Sequence, residues 1–157
     1  MSLFAILRNF HVLSAAVWLG MVVVMNFGLM PFVAKKLTQN EVNTLKPIFG
    51  KVKKIISISA LITFLTGGGV LWIQTKFNVV NMLESTRGTL IFIAGSIGFI
   101  ITIFHFLVED KVEDFLRSKL PKDELLVGYK GMAFIPVVGL IIVSGIFITM
   151  LIAVRGI

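Results

Sequence analysis

The sequence predicts an all-α integral membrane protein, built as an antiparallel bundle of four helices. Of its 157 residues, 57% are hydrophobic and only 15% are charged, whereas a soluble domain is about half apolar and a quarter charged. Charged residues divide the chain into four long uncharged runs, and about 20 residues of helix cross a hydrocarbon core. We therefore predict a single domain, 1–157, with spans at about 9–34, 55–75, 88–108 and 131–154.

The first two runs each suit one membrane helix. The run between Arg8 and Lys35 is uncharged throughout, and it is longer than the apolar part of a signal peptide. The run between Lys54 and Lys76 is also uncharged and contains three consecutive glycines, 67–69. Small residues let membrane helices approach closely, so we interpret this triplet as a packing feature and not as a phosphate-binding loop.

The third and fourth runs have the same character. The third lies between Arg87 and Glu109, and the fourth lies between Lys130 and Arg155. Both contain small residues at spacings that favour helix packing in lipid. These residues are Ala94 and Gly98 in the third run and Gly139, Ser144 and Gly145 in the fourth.

The distribution of lysine and arginine predicts the orientation. Of the 15 such residues, 11 lie in the two long segments after the first and third runs, and four lie elsewhere. The positive-inside rule therefore places both long basic loops in the cytoplasm and both termini outside, in the cytoplasmic (plasma) membrane. We attribute the net charge of +7 to this topology. The expected partners are the lipid bilayer and other membrane subunits or a second copy, with no nucleic acid.

The composition limits the chemistry of the chain. There is no cysteine, which excludes disulfides, thiolate metal sites and a cysteine nucleophile. All eight acidic residues lie between the predicted spans, whereas proton and ion transporters usually bury an acid in a helix. No catalytic set of side chains is apparent. We predict no catalytic residue, and the pattern favours a chain without activity of its own while leaving enzyme function open.

His11 stands at the start of an apolar run, N-F-H-V-L-S-A-A-V-W-L-G. An ionisable residue in a membrane helix is costly and suggests a function. A neutral imidazole can bind haem iron or copper. The alternative is a histidine that hydrogen-bonds a neighbouring helix or the lipid headgroups. Trp18 lies two turns further on the same face, where it either lines a flat cofactor pocket or fills space in the bundle.

The predicted spans also suggest partners for His11. With a rise of 1.5 Å per residue, His11 is expected about 15 Å outside the midplane and His105 about 10 Å inside it, too far apart to share one ion. At the outer ends, Met150 is a candidate second ligand, and Arg87 is a candidate partner for a haem propionate. His105 and Glu109, one turn apart, form a weak candidate metal site whose alternative is a solvated acidic face.

Parts of the sequence resemble a known family. F-H-V-L-S-A-A-V-W-L-G-M, followed by M-N-F-G-L-M-P-F, resembles the first helix of the copper-resistance D-like membrane superfamily, which includes the HemJ-type protoporphyrinogen oxidases. That helix carries a histidine, a tryptophan seven residues later and then a glycine, here His11, Trp18 and Gly20, with a proline, here Pro31, at its end. L-I-T-F-L-T-G-G-G-V-L-W is similar to the family's threonine–glycine second helix, and His105 matches a histidine late in its third helix.

This resemblance implies a four-helix unit with His11 as a ligand of haem b, in a family tied to copper uptake or to the penultimate step of haem synthesis. Together with the residue pattern, it leads us to expect a haem- or copper-associated accessory component of a larger membrane metalloenzyme or metal-handling system. Two alternatives stay open. One is a HemJ-like protoporphyrinogen oxidase, and the other is a purely structural membrane subunit that binds no cofactor.

Overall fold

A computed structural model describes residues 2–29, 38–107 and 134–155, apart from the side chains of residue 39, residue 105, and residues 134–136 and 154–155. Within these ranges every regular element is a helix and no strand occurs, so the all-α prediction is confirmed for them. The elements are α1 (Leu3–Val23), a π-helix that continues it (Val24–Leu29), α2 (Gln39–Thr75), α3 (Val79–Leu83), α4 (Thr86–Leu107) and α5 (Phe134–Arg155).

Three of these helices are long and apolar enough to cross a membrane. They cover Leu3–Leu29, Asn40–Thr75 and Thr86–Phe104, and the described part of α5 has a shorter apolar stretch, Val137–Ala153. About 20 apolar residues are needed for a full crossing. The composition and the helices therefore agree on a lipid environment for the chain.

The helix α2 is much longer than its apolar run. It starts at a capping box, in which the Thr38 backbone N–H donates to Glu41 Oε2 (2.7 Å) and the Glu41 backbone N–H donates to Thr38 Oγ1 (3.4 Å). From there it continues for 37 residues, about 55 Å at 1.5 Å per residue. Most of the described sequence before the second predicted span is therefore helix and not loop, because the cap starts the helix well before the apolar run.

The helices pack through a small apolar core. The helix α1 lies along α2, α5 lies against α4 and α1, and α4 contacts α2. The buried side chains of Trp18, Val22, Ala60 and Val143 form one cluster between α1, α2 and α5. A second cluster, which includes Val42, Phe49, Met25 and Leu29, joins the π-helix to the first half of α2.

The short helix α3 turns the chain from α2 into α4. The turn passes through Lys76 and Phe77, both in the left-handed region (φ 52° and 57°). Met82 is buried, and its backbone carbonyl lies where a Cβ on Gly88 would have to be. Only glycine fits there, so α3 and the start of α4 form a tight corner.

The contacts between α1 and α2 define the register of the pair. Leu7 lies against Gly69, His11 lies against Gly67, and Trp18 shares a core cluster with Ala60. The helices are therefore antiparallel, and residues 3–22 of α1 lie beside the apolar stretch 55–75 of α2. Residues 23–29, which continue the uncharged run beyond these residues, lie beside the lysine-bearing half of α2.

Candidate functional site

The side chain of His11 makes a hydrogen bond from α1 to α2. Its Nδ1 lies 2.9 Å from the backbone carbonyl oxygen of Thr63. A carbonyl oxygen only accepts hydrogen bonds, so Nδ1 carries the proton. In the neutral imidazole the free lone pair is then on Nε2. This is the arrangement of metal-binding histidines, which commonly donate the other ring N–H to a carbonyl or carboxylate group.

Gly67 provides the space for the imidazole. A Cβ at this position would lie 2.8 Å from His11 Cε1 and 2.9 Å from His11 Nδ1, whereas non-bonded heavy atoms of this kind normally stay about 3.5–4.0 Å apart. A Cβ at Gly68 would meet nothing within 4 Å. The requirement for glycine therefore belongs to position 67, where the backbone of α2 forms the surface on which the ring lies.

A pair of hydroxyl groups lies beside the histidine. Thr63 Oγ1 is 2.9 Å from Ser14 Oγ and 2.7 Å from the Ser59 carbonyl oxygen, and its single proton serves one of them at a time. Ser14 Oγ donates to the Phe10 carbonyl oxygen at 2.7 Å. Ser14 and Thr63 are both buried. Thr63 therefore contacts α1 through its carbonyl and through its hydroxyl, and these two contacts hold the histidine-bearing turn of α1 against α2.

The register changes the expected level of His11. The sequence places this residue near the outer end of its span, because that prediction centres the uncharged run 9–34 in the membrane. In the structure His11 lies beside Thr63 and Gly67, which flank the middle of the stretch 55–75. Relative to α2, His11 thus lies about 15 Å closer to the middle of the stretch 55–75 than the sequence indicates, at 1.5 Å for each of about ten residues.

Trp18 lies in the core cluster described above, with 7% of its surface exposed. Its neighbours there include Ala60 of α2 and Val143 of α5. It lies two turns from His11, about 10 Å along the helix axis. The structure places Trp18 where three helices meet, and its role as the wall of a cofactor pocket stays a prediction.

Two contacts relate the level of His11 to α4 and α5. Phe64, next to Thr63 on α2, stacks on Phe99 of α4 with 5.1 Å between ring centroids. Directly before Phe99 on α4, Gly98 lies against Ile146 of α5. Phe99 and Ile146 therefore lie at about the same height along the helix bundle as His11.

The two candidate partners of His11 lie at different levels. Met150 is one turn beyond Ile146, about 6 Å along α5, and it is half-buried. Arg87 is exposed at the start of α4, about 18 Å along the axis from Phe99. The register thus brings Met150 within about one turn of the histidine's level and leaves Arg87 several turns away. Their roles as ligand and propionate partner stay predictions.

The second candidate metal site falls outside the described residues. Glu109 lies in the undescribed range 108–133, and although the backbone of His105 belongs to α4, its side chain is not described. Pro31, from the family resemblance, also lies outside. Among the described residues, no group of three or more histidine, cysteine, aspartate or glutamate side chains could hold a metal ion.

Sequence reasoning did not identify Thr63 and Gly67 as the residues that position His11. The available signal was their spacing, because residues four apart lie on one face of a helix, and L-I-T-F-L-T-G-G-G contains several such pairs. The sequence did not indicate which pair faces α1. In comparisons with protein-family models, with curated proteins and with solved structures, nothing matches this chain.

Proposed function

We propose that this chain is a four-helix membrane protein that holds haem b or a copper ion through His11, and that it works as an accessory component of a larger membrane metalloenzyme or metal-handling system. In this proposal α1, α2, α4 and α5 cross the cytoplasmic membrane, with both termini outside. The apolar stretch of α5 and its packing on α4 and α1 support it as the fourth crossing helix.

One observation carries the proposal. The hydrogen bond from Nδ1 to the Thr63 carbonyl leaves the free electron pair on Nε2, and such a bond also fixes the orientation of the ring toward a metal. The donor set fits haem iron or copper, because both accept imidazole nitrogen and thioether sulfur. Among the methionines that the structure describes, Met150 lies closest to this level in the register, and Arg87 is kept as the candidate for charge pairing at the outer end. Bound haem or copper would supply one-electron transfer.

A spectroscopic experiment tests this assignment. The protein is purified in detergent, and its visible spectrum and its copper content are measured for the wild type and for His11→Ala. We expect a Soret band, or copper close to one equivalent, in the wild type and its loss in His11→Ala. Asn9→Ala is the matched control, because Asn9 is an exposed polar residue on the same helix. A wild-type signal that persists in His11→Ala would contradict ligation by His11.

A second candidate function is that of a structural membrane subunit without a cofactor. The observation that favours it is the pair of interhelical contacts around His11, because the His11–Thr63 and Ser14–Thr63 hydrogen bonds join α1 to α2. Interhelical hydrogen bonds of this kind contribute about 0.6 kcal/mol on average in a membrane protein. A wild type that is colourless and free of metal, with lower stability in His11→Ala, would favour this function. Porphyrinogen oxidation by the purified protein would favour the HemJ-like alternative.

A further inference from the structure

The polar half of α2 and the π-helix form a distinct end of the described structure. We call residues 23–29 together with residues 42–54 the basic end. Its two segments are joined by the cluster that includes Phe49 of α2 and Leu29 of the π-helix. The basic end lies directly beyond the apolar stretch 55–75 of α2, where it would meet the headgroups of a bilayer that this stretch crosses.

Large apolar side chains are exposed on this end. Phe27 is 71% exposed, and Val23, Val24 and Ile48 are also exposed. Exposed apolar side chains of this size need a cover, and apolar side chains at a membrane interface are buried about 5–10 Å into the boundary of headgroups and acyl chains.

The same end carries lysines and no acidic residue. Residues 42–54 contain four lysines and neither aspartate nor glutamate. Lys46, Lys51 and Lys54 are exposed. The closest acidic residue on α2 is Glu41, whose carboxylate accepts hydrogen bonds from Thr38 in the helix cap. The basic end therefore presents positive charge next to exposed apolar surface.

We propose that the basic end binds the headgroups of anionic phospholipids. The lysine side chains reach along their alkyl stems to the lipid phosphates, while Phe27 and its neighbours enter the acyl boundary. Clusters of four or more lysines directly beside a membrane helix attract anionic lipids in this way. The proposal depends on the lipid environment of the helices and not on whether His11 binds a cofactor.

The first test measures lipid retention by native mass spectrometry. The full chain is released from detergent micelles that contain equal amounts of phosphatidylglycerol and phosphatidylcholine, and the bound lipids are counted. We compare Lys51→Gln/Lys54→Gln with Arg8→Gln/Lys76→Gln, which removes two positive charges near the opposite end. We expect selective retention of phosphatidylglycerol in the wild type and in the Arg8/Lys76 variant, and a loss of affinity of about 30-fold in the Lys51/Lys54 variant.

The second test measures the depth of Phe27 in nanodiscs. Because the chain has no cysteine, Phe27→Cys can carry a single nitroxide label. We expect preferential collisions with oxygen, which partitions into lipid, over a water-soluble nickel chelate. Equal retention of the two lipids by the wild type, equal loss in both double variants, or a label exposed to water would each overturn the proposal. Binding of an acidic peptide in preference to phosphatidylglycerol would assign the surface to a protein partner instead.

Discussion

Replacing Gly67 by alanine tests the packing of the imidazole on α2. The new Cβ would lie 2.8 Å from His11 Cε1, so the ring would have to retreat by about 0.7–1.2 Å to reach an ordinary contact distance. The hydrogen bond from Nδ1 to Thr63, now 2.9 Å, would then exceed the usual limit of about 3.2 Å. Both the interhelical hydrogen bond and the tautomer that it fixes would be lost.

The cost follows from these two changes. Overpacking of a filled site costs about 1–3 kcal/mol, and the lost interhelical hydrogen bond adds about 0.6 kcal/mol. Alanine also has a better helix propensity than glycine, by about 1 kcal/mol. Gly68→Ala has the same gain in propensity but meets no neighbouring atom. We therefore expect Gly67→Ala to be less stable than Gly68→Ala by about 2–4 kcal/mol.

Two measurements check this prediction. Unfolding in mixed micelles with increasing sodium dodecyl sulfate, followed by far-ultraviolet circular dichroism, compares the free energies of unfolding of the two variants. Nitrogen NMR of histidine-labelled protein reports the tautomer of His11, with its signals assigned through His11→Ala. Equal stability of Gly67→Ala and Gly68→Ala, with Nδ1 of His11 still protonated in both, would refute the packing argument.

Two further predictions concern the core and the start of α2. Trp18→Ala should lower the free energy of unfolding by about 3–5 kcal/mol, because it leaves a cavity between three helices. Its control is Trp72→Ala, which should cost much less because the ring of Trp72 is 49% exposed. Similar losses for the two variants in micelle unfolding would contradict the position of Trp18 in the core. Thr38→Ala should destabilise the first turn of α2 by about 1 kcal/mol through loss of the capping box. Thr44→Ala is its control, because the Thr44 hydroxyl donates to a carbonyl of its own helix. If the rate of amide hydrogen exchange near residue 42 is the same in the two variants, the role of the cap is contradicted.

The sequence contains enough information for the class of fold but not for the register of its helices. Long uncharged runs indicate membrane helices because any charge in the hydrocarbon core is costly. How far one helix slides along another depends on which side chains interlock. At the α1–α2 interface this is decided by Leu7 against Gly69 and by His11 against Gly67. The prediction from charge boundaries alone therefore places His11 too far from the middle of the apolar stretch 55–75 of α2.

The candidate site shows the same division. His11 is predicted from its chemical type, since histidine in an apolar helix is unusual and costly. The tautomer of His11 is not predicted from the sequence, because it depends on the backbone carbonyl of Thr63, which is far away along the chain. The charge pattern also does not predict that α2 extends to Thr38. Lysines near the membrane are typical of a loop, but lysine is also a good helix former.

The π-helix at Val24–Leu29 has a consequence for tolerated changes in chain length. A π-turn closes its hydrogen bond over one more residue than an α-turn does. A chain one residue shorter within this segment would close as an ordinary α-helix and leave the preceding turns, with His11 and Trp18, in place. A deletion between His11 and Trp18 would instead rotate one side chain relative to the other by about 100°, one residue's turn of an α-helix. Where related chains differ in length between residues 3 and 29, we therefore expect the difference to lie within the π-helix and not within α1.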